Sequence, residues 1–196
     1  MNDNILNFIL IIFIIFISIK LYINSDTLNL RCIISHVNGK KYCVRDRNKI
    51  EMSADKLANI NMKLDKLVLH LKTNYPDKEC VKLLLKNYNP KKIYETLPTS
   101  EFTAYSENKG EKLAFCLDTE KKNGRLIDIN TLTYVALHEL SHIATKSIGH
   151  TDEFWQNFKF IIIEAKNIKI YNPIDYSKNP ARYCGMNITD NPYYNI

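Results

Sequence analysis

The stretch His138-Glu139-Leu140-Ser141-His142, followed by Gly149-His150, restricts the fold more than any other part of this 196-residue chain. Two histidines four residues apart share one face of an α-helix, about 5–6 Å apart at Cβ, so both imidazoles can bind one metal ion. The glutamate is turned by roughly 100° from the first histidine and stays near the metal without being a ligand. The sequence therefore predicts a helix that carries a zinc site.

The residues around this motif predict a largely buried helix. Asp128 or Asn130 offers an N-cap, residues 132–147 contain neither Gly nor Pro, and Gly149 stands where a C′ residue would. Glu139 falls within the apolar arc of the helix, where a carboxylate is costly unless it is paired or acts on something. We therefore predict that Glu139 is the general base, which takes a proton from a water activated by zinc.

The third zinc ligand has two candidates. His150 lies eight residues after His142, just past Gly149, whose conformational freedom lets the chain turn back towards the metal. Glu164, on a predicted helix that starts at residues 151–153, is the competitor; it would otherwise be a solvated carboxylate or a partner that orients a histidine. We predict His150 as the ligand.

This part of the chain resembles a known family. Residues 138–142 and 149–155 are similar to the "HELxH … GHxxxFW" pattern of the WLM and SprT-like zinc metallopeptidases. In that group three histidines bind zinc, the glutamate is the catalytic base, and cellular members are associated with proteolysis of proteins crosslinked to DNA. The resemblance implies a zinc cofactor and assigns these roles to His138, His142, His150 and Glu139.

A second sequence resemblance bears on the origin of the protein, and the pattern of charged residues bears on its binding partners. Residues 105–110 and 183–186 resemble uncharacterised proteins of large DNA viruses, which implies a virus-encoded chain. The net charge of +6 and the lysine pairs at 40–41, 91–92 and 121–122 would suit nucleic acid or an anionic membrane. No recognised nucleic-acid motif supports the first of these partners.

The residues 5–23 are almost wholly apolar and predict a transmembrane anchor. About 19 residues at a rise of 1.5 Å nearly match a hydrocarbon layer of about 30 Å. A cleaved signal peptide is the alternative, but residues 1–4 contain no Lys or Arg and no Ala-x-Ala site follows. The basic residues at or after the end of the segment predict a single pass with the catalytic part in the cytoplasm. These residues are Lys20, Arg31, Lys40 and Lys41.

The remaining pattern predicts an α+β fold, a compact zincin-like metallopeptidase domain behind the transmembrane helix. Helices are expected after Ser53 and after Pro76-Asp77, then a small antiparallel sheet, the HExxH helix and a C-terminal helix. The sheet strands are predicted at residues 93–97, 102–106 and 112–118, with a turn at 122–124. The predicted division is a tail at residues 1–4, the anchor at 5–23, a connecting β-hairpin at 24–47 and the metallopeptidase domain at 48–196.

The cysteines and the C-terminal tyrosines leave two questions open. Cys32 and Cys43 flank Asn38-Gly39, a signal for a two-residue hairpin turn that would place Ile34 opposite Cys43. A disulfide between the two cysteines is therefore possible but not favoured. After the last helix, one tyrosine of a Pro- and Tyr-rich tail can donate a hydrogen bond to an oxyanion. The candidates are Tyr171, Tyr176 and Tyr183.

Together these features predict a membrane-anchored zinc peptidase, an endopeptidase that holds a protein or peptide substrate along a sheet edge at residues 112–118. The alternative is a non-catalytic, membrane-anchored zinc-binding protein of a virion or scaffold. Glu139 favours the peptidase, because a structural zinc site has no need of that carboxylate and is usually closed by four protein ligands. The sequence indicates no oligomeric state.

Overall fold

The computed structural model of the protein describes residues 3–23, 30–121 and 124–194. Its first helix, α1 (Asp3–Ile23), includes the 18-residue stretch Ile5–Tyr22, which is long and apolar enough to cross a membrane. None of that stretch is buried against the rest of the protein. An apolar helix of this kind is typical of a membrane anchor or a signal sequence. The helix begins at Asp3, within the predicted tail of residues 1–4. Residues 1–2 of that tail lie outside the described part.

A mixed five-stranded sheet lies at the centre of the fold, with strands in the order β1-β2-β3-β5-β4. The strands are β1 (Leu30–Ile34), β2 (Lys41–Arg45), β3 (Ile93–Glu95), β4 (Ala104–Glu107) and β5 (Lys112–Phe115). The pairs β1–β2 and β4–β5 are antiparallel, whereas β2–β3 and β3–β5 are parallel. The predicted α+β class is confirmed, but the sheet is not purely antiparallel, because long connections return the chain to the same end of the sheet.

Four helices and a small hairpin complete the domain. They are α2 (Ile50–Asn74), α3 (Glu79–Asn87), α4 (Ile129–Ile143), α5 (Asp152–Asn167) and the two-stranded β6 (Ala181–Tyr183) and β7 (Met186–Ile188). The inward face of α2 repeats leucines at helical spacing, and Leu57, Leu64 and Leu71 are fully buried. Helix α4 is buried over most of its length, as predicted. The turn predicted at 122–124 includes Lys122 and Asn123, which lie outside the described residues.

The β1–β2 hairpin is part of this sheet and not a connecting segment outside it. Strand β2 pairs with β3, and its Tyr42 and Val44 are buried in the core. Alternate residues of a strand point to the same face, so these two side chains reach the core together. The predicted boundary before residue 48 therefore cuts through the sheet, and residues 24–29 of the predicted segment lie outside the described part.

The hairpin also carries a disulfide that the sequence analysis did not favour. Cys32 is directly opposite Cys43, and their sulfurs are bonded. The strands are joined by the loop of residues 35–40, in which Ser35 N–H donates to the carbonyl of Lys40 and Gly39 N–H to that of Ser35. The expectation was wrong because Asn38-Gly39 lies within this longer loop, so the register differs from that of a two-residue turn.

Candidate metal centre

Helix α4 and the loop that follows it bring three histidines together. Asp128 caps the helix by accepting a hydrogen bond from Thr131 N–H at 2.8 Å, which confirms the first of the two predicted caps. His138 Nε2 lies 3.2 Å from His142 Nε2 and 3.0 Å from His150 Nε2. One ring nitrogen from each of the three histidines lies within 4.8 Å of the other two. His138 and His142 on one face of α4 thus meet a third imidazole, that of His150, which comes from outside the helix.

This spacing fits a tetrahedral zinc ion. Zinc–nitrogen bonds of about 2.0–2.1 Å imply an edge of about 3.3–3.4 Å between two nitrogen ligands. The two Nε2–Nε2 distances of 3.2 and 3.0 Å are close to that edge. Three nitrogens at this spacing would occupy three corners of a tetrahedron around zinc and leave the fourth for a water or a substrate atom, as in catalytic zinc sites.

Helix α4 ends earlier than predicted, and the loop that follows it carries His150 back towards the other two histidines. The helix stops at Ile143, whereas the absence of Gly and Pro suggested that it continues to Ser147. Gly149 has a φ of +85°, in the left-handed region that glycine adopts without strain, and the next helix starts at once with Thr151 as its N-cap. The loop of residues 144–150 is thus short and bounded by two helices.

Aromatic rings of α5 pack under the three imidazoles. Phe154 stacks on His142 with ring centroids 4.3 Å apart and contacts the rings of His138 and His150 at 5.0 and 4.8 Å. Phe158 contacts His138 edge-on at 5.2 Å. Buried rings restrict the imidazole rotamers, so they hold the nitrogens in place before any metal binds. The sequence predicted this helix but not that its aromatic side chains support the histidines.

Burial shifts the pKa values of the groups at this site. In the protein alone, burial lowers the pKa of His138 to about 3 and that of His142 to about 4, with a further contribution from the neighbouring histidines. Both imidazoles are therefore neutral at pH 7, as metal ligands must be. Burial also raises the pKa of Glu139 to about 8. A cation next to that carboxyl group favours its ionised form.

Glu164 is engaged away from the three histidines. Its carboxylate is buried, accepts hydrogen bonds from Tyr75 OH at 3.0 Å and Asn167 Nδ2 at 3.2 Å, and lies 2.7 Å from His70 Nε2. It is thus neither a solvated surface carboxylate nor a member of the histidine cluster. The histidine that it orients is His70, which the sequence pattern did not connect with it.

The three candidate tyrosines are buried in the C-terminal part of the domain and do not line the cleft next to the metal centre. Tyr183 OH donates to the carbonyl of Thr103 and accepts from Cys116 N–H, both at 3.1 Å. Burial, and next the Glu139 carboxylate, raise the pKa of Tyr183. Tyr171 accepts from Asn191 Nδ2 at 3.0 Å, and burial raises the pKa values of Tyr171 and Tyr176. This packing agrees with a tail that wraps the domain.

A cleft with a volume of about 1090 Å³ opens beside Glu139 and the histidines. Strand β4, residues 147–150, His138 and His142 all line this cleft. The edge of the sheet at this cleft is β4, since β5 is paired on both sides, with β3 and with β4. The prediction that residues 112–118 provide the substrate edge is therefore wrong. Only the tertiary order of the strands shows which one is free.

A second disulfide joins Cys116, just after β5, to Cys184 in the β6–β7 turn. Cys184 has a φ of +48°, and its N–H donates to the carbonyl of Asp118 at 3.0 Å. No spacing pattern in the sequence connects Cys116 with Cys184. The bond ties the C-terminal hairpin to the strand next to β4.

Breaking the two disulfides should destabilise the domain unequally. The Cys116–Cys184 bond spans a sequence separation of 68 and the Cys32–Cys43 bond a separation of 11. A longer closed loop loses more entropy in the unfolded chain, which favours the first bond by about 1.5 kcal/mol within a typical range of about 2–4 kcal/mol. Urea unfolding of the Cys116→Ser/Cys184→Ser and Cys32→Ser/Cys43→Ser double variants would measure both costs. An equal or smaller cost for the 116–184 pair would contradict this expectation.

The fold and the site define an α+β protein in which two histidines of an HExxH helix meet a third histidine from the following loop. The chain belongs to the family of an uncharacterised protein of Acanthamoeba polyphaga mimivirus, to which it is 32% identical over 160 residues, 80% of this chain and 81% of the relative. It is also similar to uncharacterised proteins of two invertebrate iridescent viruses. Iridescent virus 6 gives 33% identity over 64 residues, 32% of this chain and 36% of that protein. Iridescent virus 3 gives 41% identity over 51 residues, 26% of this chain and 31% of that protein.

Among solved structures, the chain is similar to Wss1 from Saccharomyces cerevisiae, with a TM-score of 0.49 and 17% sequence identity. That similarity covers 70% of this chain and 98% of the Wss1 chain. No family model matches the chain.

Proposed function

We propose that the protein is a zinc-dependent peptidase, an endopeptidase, anchored by its N-terminal helix. The observation that carries this proposal is the convergence of three imidazole nitrogens within 4.8 Å of one another beside the buried carboxyl group of Glu139, at a cleft. His138, His142 and His150 would hold the ion, and the neutral state of His138 and His142 suits that role. The three-nitrogen set keeps one zinc position for chemistry.

Each group at the site has a defined task in peptide hydrolysis. When bound, zinc polarises the substrate carbonyl and lowers the pKa of a water molecule. Glu139 accepts the proton of the attacking water on a carboxylate oxygen and passes it to the nitrogen of the leaving amine. Its low-dielectric surroundings make it a stronger base than a solvated carboxylate, since burial raises its pKa. Phe154 and Phe158 keep the imidazoles in place during the reaction.

The edge strand β4 is suited to hold the substrate. The cleft is lined by Ala104, Tyr105, Ser106 and Glu107, the whole of β4, and by the metal centre. The outer side of an edge strand presents backbone N–H and C=O groups to an added strand, so an extended peptide can pair with it. That pairing would lay a peptide bond past Glu139 and the histidines. This geometry supports a protein or peptide as the proposed substrate.

The alternative, a non-catalytic zinc-binding structural or virion protein, has less support from the site. In the described part of the chain, the metal-ligand group that includes these histidines has three members, whereas structural zinc sites usually have four protein ligands. A buried Glu139 at the cleft would also cost stability without a role in such a protein.

The experiment that tests the proposal measures bound zinc and peptide cleavage together. The full-length chain in detergent micelles would be loaded with zinc, dialysed and analysed for metal. It would then be incubated with a peptide library and with unfolded proteins. We expect one zinc per chain and cleavage that stops when a chelator removes the metal. Zinc-loaded protein that leaves every substrate intact would favour the structural alternative.

We further propose that the segment 5–23 is retained as a single-pass anchor with the rest of the chain on the cytoplasmic side. The basic residues after the segment and their absence before it support this orientation. Disulfides are rare in the cytosol but persist on virion surfaces. With the domain on that side, the two disulfides would form only after it leaves the reducing cytosol, for example on a virion surface.

Translation with microsomal membranes checks the orientation. We expect an uncleaved, membrane-integrated chain whose sequon at Asn187, an exposed residue in β7, stays unglycosylated. A chain moved to the lumen by added N-terminal lysines is the matched control, in which Asn187 should accept a glycan. Glycosylation of the wild-type chain would reverse the orientation, and a mature chain beginning after residue 20 would identify a signal peptide.

A further inference from the structure

The turn between β4 and β5 contacts the loop that carries His150. Lys109, in this turn, donates three hydrogen bonds from Nζ to the carbonyls of Thr145, Lys146 and Ser147, at 2.8, 2.6 and 3.2 Å. These carbonyls follow the end of α4 and have no helical partner ahead of them. The ammonium group of Lys109 thus binds three consecutive backbone carbonyls of the loop between His142 and His150.

A carboxylate holds the same loop through its donors. Glu153, in the first turn of α5, accepts from the N–H groups of Lys146 and Ser147 at 3.2 and 3.1 Å and from Ser147 Oγ at 2.8 Å. The loop is therefore fixed through its carbonyls by Lys109 and through its N–H groups by Glu153. Both side chains come from outside the loop, so its shape is set by tertiary contacts.

The turn that carries Lys109 is itself held firmly. Asn108, Lys109 and Gly110 all have positive φ values, of 47°, 55° and 115°. A Cβ at Gly110 would lie 2.7 Å from the carbonyl oxygen of Asn87 and 3.0 Å from Ile143 Cγ2. The turn is thus pressed against α3 and the last turn of the HExxH helix. Because the turn packs this closely, a shift of β4 would move the turn and, through Lys109, the loop of residues 144–150.

The donor count of Lys109 excludes a direct role in binding substrate. An ammonium group has three donors and no acceptor. Three carbonyls lie within hydrogen-bond distance of its Nζ, so each donor has a partner, although the side chain also lines the cleft. Its effect must therefore pass through the loop that it holds.

We infer that Lys109 is a positioning residue that sets the place of His150 in the metal centre and ties this centre to the substrate strand β4. The inference on metal geometry rests on the three-histidine site, and the link to substrate rests on the proposed peptidase function. Without the ammonium group the three carbonyls repel one another and turn towards solvent. The loop then relaxes, and His150 no longer meets the nitrogens of His138 and His142 at tetrahedral spacing.

The test compares Lys109→Met, Lys109→Arg and Lys146→Met in the full-length chain. Lys146 is a matched control from the loop itself, because in the described part of the chain its Nζ pairs with the exposed Glu79 carboxylate, at 3.1 Å. Zinc affinity is measured by competition with a chromophoric chelator. We expect Lys109→Met to weaken zinc binding by about 10–100-fold, as loss of an outer partner of a metal ligand does. Lys109→Arg should recover part of this loss, and Lys146→Met should bind like wild type.

Cobalt substitution adds a readout that a loss of stability alone would not change. The visible spectrum of bound Co²⁺ reports the coordination geometry, and we expect it to change in Lys109→Met and to stay as wild type in Lys146→Met. Wild-type affinity and spectrum in Lys109→Met would overturn the inference, as would equal changes in both variants. If Lys109→Met does not fold, the zinc affinity and the Co²⁺ spectrum of Lys109→Arg test the inference instead. A wild-type chain that binds zinc but cleaves nothing would refute the peptidase function and leave this test of Lys109 intact.

Discussion

Glu139→Gln is expected to lower peptide turnover by at least about 10²–10⁴-fold, the contribution of a general base, while zinc binding and folding stay intact. Glutamine is nearly isosteric and keeps its hydrogen-bonding capacity, but its amide cannot accept the proton of the attacking water. The loss exceeds that range if the water also loses its orientation. Because burial alone raises the pKa of Glu139, the neutral amide removes an ionisation cost and the variant should be no less stable than wild type.

Turnover, bound zinc and the midpoint of urea unfolding are measured on the same preparations. Glu51→Gln, an exposed carboxylate in the first turn of α2, is the matched control and should cleave like wild type. Cleavage by zinc-loaded Glu139→Gln at the wild-type rate would rule out the proposed mechanism. A variant that has lost its zinc would show instead that Glu139 acts through the metal site.

His150→Ala is expected to weaken zinc retention about a hundredfold or more, much as His142→Ala does. Structural zinc sites gain about 10–16 kcal/mol from their ligands together, so removing one ligand of three costs several kcal/mol. The rings of His150 and Phe154 are in contact, with centroids 4.8 Å apart, but His150 is exposed, so the fold should survive the substitution. Equilibrium dialysis against a zinc buffer measures the change.

Glu164→Gln is the decisive comparison, because Glu164 was the competing ligand. We expect this variant to keep its zinc and to lose stability, since the carboxylate is buried with His70 and Tyr75. Should Glu164→Gln release the metal while His150→Ala retains it, the assignment of the third ligand is wrong.

The elements that the sequence predicted best are those that depend on neighbours along the chain. The spacing of His138 and His142 indicates a shared helical face at any position in a fold, and Asp128 caps α4 by a bond to a residue three positions away. The helical range of residues 5–23 depends on the same local periodicity and apolar composition. The zinc-ligand and base assignments remain predictions, although the three imidazoles do meet.

The hairpin register and the pairing of the cysteines were harder to predict from the sequence, because each depends on groups that are distant along the chain. Cys32 lies opposite Cys43 because the Asn38-Gly39 signal is one part of a longer loop. Nothing in the spacing of Cys116 and Cys184 foretells their bond, since it requires the C-terminal hairpin to return to the end of β5. Sequence patterns report preferences of a few residues, whereas these pairings are decided by packing of the whole domain.

The sequence by itself determined the residues of the candidate site and the apolar N-terminal helix: a helix with two histidines and a carboxylate at fixed spacing, and a third histidine within reach. The tertiary structure decided how that chemistry can be used. It placed β4, and not β5, at the edge of the cleft, directed Glu164 to His70, and fixed the loop before His150 between Lys109 and Glu153. The physical reason is that helical periodicity is a local property, whereas strand order and contacts between distant side chains depend on how the elements pack against one another.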